Sequence, residues 1–439
     1  MFCSSIKVFL MLKQNQYTKK RYLIAFYNMK NIKIDVLIIG AGPSGSVAAA
    51  YLQNKDINFM VIEKNEFPRF AIGESLLPRC MDHFQEVGLI DCISEYGFEI
   101  KRGARFIKED KICEFDFSKK HTKGYDWTWQ VPRADFDLVI TDKLKDKGVN
   151  IAFGHEVIDV LFKKDGTSTT TVKSKEGETY LIKSKYIIDS SGFGRVLPRL
   201  LDLDKPSEIP KHSSIFSHVK DINRPKGREG TIITFDVISK NCWLWVIPFS
   251  NGNTSIGFVC ENEFLDSFVG TSTEKLRKML ELSKHYYKRF KHVDFQFEPI
   301  SIKNYSKSVK QLFGKGFVLT GNSAEFLDPV FSSGVTFATE SGLLGAKLIA
   351  KELCNKKVDW QKDYEDYILQ GTAVFGSYVK EWYTGNLQTI FFEGQDNPKI
   401  KKQICAVLAG YVWDKTNPFV KNHNRLIATL ANFIKLENK

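Results

Sequence analysis

The sequence predicts an α/β fold. A Rossmann-like dinucleotide-binding domain is interleaved with an antiparallel-sheet domain, and a helical C-terminal region follows. Three observations carry this. Residues 33–65 run strand, glycine turn, helix, strand. Residues 230–260 hold short apolar, β-branched runs, two of them joined by the turn "SNGN" (250–253). Residues 356–439 alternate long helical stretches with an aromatic face, as in "WQKDYEDYILQGTAVFGSYVKEWYTGNLQTIFF". Of the 439 residues, 43% are hydrophobic, enough for one large core or two fused ones.

The net charge of +12 is unevenly spread. Residues 1–30 carry Lys7, Lys13, Lys19, Lys20, Arg21 and Lys30 and no acid, and read as a basic extension outside the fold. The apolar run "VFLML" (8–12) is too short to span a bilayer, and no other uncharged stretch reaches ~18 residues. Neither a membrane nor a nucleic-acid partner is expected. The eight cysteines form no CxxC pair and no Cys/His spacing suited to a metal. That predicts a reducing, cytoplasmic setting and no metal site.

The first unit explains itself chemically. "DVLIIG" is a buried strand, and "GAGPSG" (40–45) is G-x-G-x-x-G. Gly40 makes the tight turn, Gly42 lets a pyrophosphate approach the backbone, and Gly45 lets the helix sit on the strand. Pro43 and Ser44 open that helix, whose N-terminus suits phosphate. A second strand, "NFMVIE", ends in Glu63, placed to accept the ribose hydroxyls, with Lys64 next to it. A carboxylate there disfavours a 2′-phosphate.

Two later stretches extend the site. "YIIDSSGFGR" (186–195) leads a strand into Asp189 and Gly192. "GKGFVLTGNSAEFLDPVFSSGVTFATESGLLGAKLIA" (314–350) runs strand, glycine turn, polar loop and helix. Together with the glycine turn, these resemble the FAD-binding frame of the para-hydroxybenzoate hydroxylase-like flavoproteins. The resemblance covers about residues 33–350 and implies FAD as the cofactor. It adds Arg69, Gly73, Arg133, Val157, Gly321, Asn322, Pro329, Gly334 and Val335 to the cofactor-binding set. Asn322 stands where the frame usually has Asp. The resemblance suggests an FAD part at about 31–105, 130–200 and 312–355, and a substrate part at about 106–129 and 201–311.

Two further motifs narrow the family. "WLWVIP" (243–248) fits W-x-W-x-I-P, and "FLDPVFSSG" (326–334) fits F-x-x-P-x-x-S-x-G. With "PRFAIGESLLP" (68–78), the chain resembles the flavin-dependent halogenases. The resemblance implies that reduced FAD, oxygen and a halide make hypohalous acid, which reaches an aromatic substrate in a separate compartment. Trp243, Trp245, Ile247 and Pro248 would wall off the flavin. Ser332, Ser333 and Gly334 would form an anion nest for the halide. In "FEIKRGARF" (98–106), Lys101 matches the lysine that relatives use to hold the hypohalous acid. Glu74 and Ser75 would be polar catalytic groups in an apolar channel. Ser75 also suits the N-cap of a helix starting near Leu76.

The substrate reading rests on Phe331. Tryptophan halogenases carry a glutamate there, and "PVFSSG" resembles the form found with phenols or pyrroles, free or tethered to an acyl carrier protein. Only one dinucleotide fingerprint is visible, which leaves the electron source open between direct NADPH use and a partner; the resemblance implies a separate flavin reductase. The alternatives are a geranylgeranyl reductase-like flavoenzyme, whose Y-x-W-x-F-P stretch differs at Trp243 and Ile247, and an aromatic hydroxylase.

Overall fold

The computed structural model describes residues 31–394 and 397–438, so the basic extension lies outside the described residues. Strand Val36–Ile39, helix Pro43–Gln53 and strand Phe59–Glu63 form where the sequence places them. Both strands are buried along their whole length, which is why they read as unbroken apolar runs. They sit in a six-stranded sheet, in the order 313–314, 317–319, 186–189, 36–39, 59–63, 151–153. All neighbours are parallel except the first pair. The strands ending in Ile39, Asp189 and Leu319 are adjacent, so three distant segments finish at one sheet edge. Ligands of such sheets bind beyond the carboxyl ends of the strands.

A seven-stranded sheet forms the second layer, in the order 300–303, 212–220, 253–261, 242–248, 234–239, 103–108, 111–116. Strands Cys242–Pro248 and Asn253–Glu261 are the expected antiparallel pair. Their register sets Trp245 opposite Gly257. A Cβ on Gly257 would lie 2.4 Å from Trp245 Cζ2 and 2.4 Å from Phe216 Cβ. The glycine is therefore the space into which the Trp245 ring folds. Gly257→Ala is expected to destabilise the protein by about 1–3 kcal/mol through overpacking, read from the urea midpoint at unchanged m-value.

The C-terminal region is helical over Asp366–Thr384, Asn386–Phe392, Pro398–Leu408 and His423–Glu437. Its aromatic face covers the seven-stranded sheet. The Trp382 ring lies 5.5 Å from Phe106 and 5.9 Å from Phe331.

One local expectation fails. The helix after "GESLLP" begins at Arg79 with Pro78 as its N-cap, so Ser75 caps nothing. A proline disfavours helical geometry at the residue before it, which keeps Leu77 out of the helix. Ser75 instead bridges Gln130 in antiparallel fashion.

Candidate active site

The three converging segments are tied by hydroxyls. Ser44 Oγ donates to Thr320 Oγ1 at 2.8 Å, and Ser190 Oγ lies 2.7 Å from the same atom. The glycines divide by role. Gly40 has φ +99°, and a Cβ there would meet Ser190 O at 2.5 Å. A Cβ on Gly45 would lie 1.9 Å from Gly40 O, so helix and turn touch through backbone. Gly42 differs: its φ is −71°, and a Cβ would find only Arg69 Nη2, at 3.7 Å. Glu63 is buried beside the turn and accepts from Ala41 N at 2.8 Å and Asn65 N at 2.9 Å. Its oxygens retain lone pairs for a diol. Asp189 accepts from Ser191 N at 2.9 Å and Leu197 N at 2.7 Å, and so shapes its own turn. Burial pushes its carboxyl pKa up.

A cavity of about 490 Å³ starts at this edge and runs between the two sheets. Gly40, Gly42, Pro43, Ser44 and Glu63 line one end. Arg69, Gly73, Glu74, Ser75 and Arg133 line one flank, with Gly192, Gly321 and Asn322 also on the wall. The far end is apolar and includes Trp243, Trp245 and Ile247 together with Phe216 and Phe235. Gly45, Lys64, Val157 and Asp189 stand outside the lining. Lys64 is exposed and paired with Glu156 at 2.8 Å, and Val157 faces Val172 within a separate sheet. Pro248 is buried, its carbonyl accepting from Gln130 Nε2 at 2.6 Å.

Arg133 opens helix Arg133–Asp146 and grips Asp137 one turn on, at 2.9 and 2.8 Å. It also donates to Ile72 O at 2.7 Å, and a Cβ on Gly73 would meet its Nη1 at 3.1 Å. Arg69 Nη1 lies 3.0 Å from the same Asp137. This locks two guanidinium groups beside the cavity. Arg79 is turned away from it and binds Glu340.

Lys101 does not line the cavity. It ends strand Glu99–Lys101 and is 3% exposed. Its Nζ donates to Ser75 Oγ at 2.7 Å and Leu76 O at 2.9 Å, and lies 5.5 Å from the Phe117 ring centre. The amine thus reaches the cavity wall from behind. Burial lowers its pKa from 10.5 to about 7, so near neutrality much of it is an uncharged amine.

The late loop is held from below. Asp328 Oδ1 accepts from Val330 N at 2.9 Å, and Oδ2 accepts from Tyr305 and Tyr383 hydroxyls, each at 3.0 Å. This fully engaged carboxylate serves the loop, and burial raises its pKa. Pro329, Ser332, Gly334 and Val335 line the cavity. Ser332 adopts φ +56°, and helix Gly334–Leu353 starts after Ser333, which caps it with no side-chain bond. Backbone N–H groups of such a left-handed turn and helix start make an anion nest. Phe331 points into the core, edge-on to Tyr378 and Trp382.

His218 escaped the sequence reading. Its Nε2 lies 2.5 Å from Glu74 Oε1. The signal was the alternation of "HSSIFSHVK" (212–220), which puts 214, 216 and 218 on one strand face; Ser214 and Phe216 do line the cavity.

These residues fit FAD. Open space at Gly42, a buried acid at the ribose end, two fixed guanidiniums and a broad apolar end match a dinucleotide with an aromatic tricycle. Residues 33–263 match the family model of the FAD binding domain. The chain belongs to the FAD-binding-domain flavoproteins, and FAD is its cofactor. Three relatives define its position further. A solved structure described as a flavoprotein/dehydrogenase of Cytophaga hutchinsonii is 47% identical with TM-score 0.91, covering 93% of this chain and 100% of that one. A 1H-pyrrole-2-carbonyl-[peptidyl-carrier protein] brominase of Pseudoalteromonas luteoviolacea is 27% identical, covering 87% of this chain and 92% of the relative. The corresponding chlorinase of Pseudomonas fluorescens is 28% identical, covering 88% and 91%. Within the flavoproteins the chain is a member of the flavin-dependent halogenase family. Among the described residues no helix is long and apolar enough to cross a membrane, and no acid, His and Cys cluster suits a metal ion.

Proposed function

We propose that the protein halogenates an electron-rich aromatic ring, a phenol or a pyrrole, by way of hypohalous acid. The observation that carries this is Lys101, buried one hydrogen bond behind the cavity wall at Ser75. An amine with a pKa near 7 is basic enough to hold hypohalous acid by hydrogen bond and nucleophilic enough to form a haloamine. Bound FAD, once reduced, supplies two electrons to dioxygen. The protein's part is positioning. The turn at Ser332, Ser333 and Gly334 would hold the halide. Trp243 and Trp245 would exclude the aromatic substrate from the flavin side. Ser75 would pass the small oxidant to Lys101. A second cavity, of about 430 Å³, begins four residues further on at Arg79 and is bounded by Tyr411 and Trp413 of the C-terminal region.

The absence of a glutamate at Phe331 supports a ring that needs little activation. The two pyrrolyl-carrier relatives support a substrate tethered to a carrier protein. Membership of the halogenase family supports a separate flavin reductase as the source of reduced FAD.

The test is turnover with FAD, a flavin reductase, NADH and bromide against phenols, free and carrier-tethered pyrroles, and tryptophan, read by mass spectrometry. Bromide-dependent products from phenols or pyrroles, faster than from tryptophan, are expected. Faster tryptophan bromination would overturn the substrate class, and halide-independent oxygenation would overturn the reaction.

A further inference from the structure

Halogenation by this route consumes a proton. Reduced FAD, dioxygen, a halide ion and one proton give oxidised FAD, hypohalous acid and water. Dioxygen accepts two electrons from the flavin and two from the halide. The proton must reach a cavity walled by aromatic rings. We propose that His218 and Glu74 carry it there, an inference that rests on the halogenase reading above.

Glu74 is 2% exposed and lines the cavity. One of its oxygens, Oε1, meets His218 Nε2 at 2.5 Å. The other, Oε2, is buried with no hydrogen-bond partner among the described residues. An unpartnered carboxylate oxygen is costly to bury, and its position on a cavity wall gives it a task. His218 is the outer member: its side chain is 14% exposed, against 0% for Glu74. The imidazole is packed by Phe70, Phe249 and Phe297, with ring centres 5.1–5.8 Å away. Among the described residues Glu74 is thus the one charged side chain that bonds it. Around Glu74 itself, Lys101 is bonded to the adjacent Ser75, and Arg133 to the backbone of Ile72. Both cations have other acceptors, which leaves the carboxylate to the histidine.

The step balances simply. His218 takes a proton from solvent at Nδ1 and passes the Nε2 proton to Glu74. The carboxyl turns and releases that proton into the cavity, both groups return to their starting charge, and tautomerisation of the imidazole from Nδ1–H to Nε2–H through solvent resets the relay. Imidazole suits the outer position because it has two ring nitrogens, one to take a proton and one to pass it on. His218 acts through Glu74 and does not touch the reacting atoms.

Two variants separate relay from scaffold. His218→Gln keeps a donor toward Glu74 but cannot carry a proton, and His218→Ala leaves room for imidazole. Both are expected to bind FAD within about twofold of the wild type by flavin fluorescence, since His218 stands outside the cavity lining. Halogenation is expected to fall roughly 100-fold, in the range of a lost proton-transfer group, and to be restored in His218→Ala by added imidazole. In the cofactor-free protein, the long-range ¹H–¹⁵N spectrum of imidazoles should show a hydrogen-bonded His218 Nε2 that changes in Glu74→Gln. Wild-type rates and pH profile in His218→Gln would overturn the relay. An unaltered imidazole signal in Glu74→Gln would overturn the pairing. If the wild type makes no halogenated product, the halogenase reading fails. The relay is then read from the imidazole dependence of flavin reoxidation in His218→Ala, and none would sink it.

Discussion

Replacing Lys101 with methionine is expected to abolish halogenation and, at neutral pH, to make the protein more stable. The two effects have one cause. An amine whose pKa falls from 10.5 to about 7 on folding is a burial cost carried for function. Below about pH 7 the lysine is protonated in both the folded and unfolded chain, so the full penalty of burying an ammonium applies. Between about 7 and 10.5 the unfolded chain binds the extra proton, and wild-type stability rises with pH. The shift is worth a few kcal/mol. Methionine forfeits the bonds to Ser75 and Leu76, about 1 kcal/mol each. The gain therefore exceeds the loss at pH 7 and below, and the order reverses near pH 10. Product formation should drop roughly 100- to 10,000-fold with FAD binding and oxygen consumption retained. Chemical unfolding at three pH values and a halogenation assay check both halves. A variant less stable than wild type at pH 6 would show that the lysine is neither so buried nor so desolvated.

Gly42→Val is expected to leave a folded protein that cannot hold FAD. The backbone at Gly42 has φ −71°, which valine adopts freely, and the added Cβ meets no backbone atom. The side chain would instead fill the volume a pyrophosphate needs. Gly40→Val and Gly45→Val provide the contrast. The first forces φ +99° on a branched residue, and the second drives a carbon into Gly40 O, so both should fail to fold. FAD affinity is expected to fall more than about 100-fold in Gly42→Val, because steric exclusion removes both the phosphate bonds and the helix-end field. Titration of the cofactor-free protein and its melting temperature give the two readouts. Unchanged affinity would place the pyrophosphate elsewhere.

The parts legible in the sequence are those whose chemistry is local. The glycine turn, Glu63 and Trp243/Trp245 are fixed by spacing and strand alternation alone. Lys101 was legible as a candidate through its motif, but its burial was not. Its partners, Ser75 and Leu76, belong to a segment brought alongside by the bridge to Gln130. The Glu74–His218 pair spans 144 positions and depends on how the two sheets face each other. The role of Asp328 is likewise invisible in the sequence, because its two tyrosine partners come from 305 and 383. Ser75 also suited a cap because serine is a favoured N-cap residue, but the helix starts at Arg79, after Pro78.

The hydroxyl knot of Ser44, Ser190 and Thr320 has a consequence for biosynthesis. Ser44 and Thr320 are 276 positions apart. A growing chain that has exposed the glycine turn still lacks the strand at 317–319 and the loop that closes the site. The nascent polypeptide therefore carries an incomplete FAD pocket for most of its time on the ribosome. Contacts of such long range form late and slowly. The cofactor is therefore captured only after the segment around Thr320 has been made, and a chain terminated before it lacks one wall of the pocket.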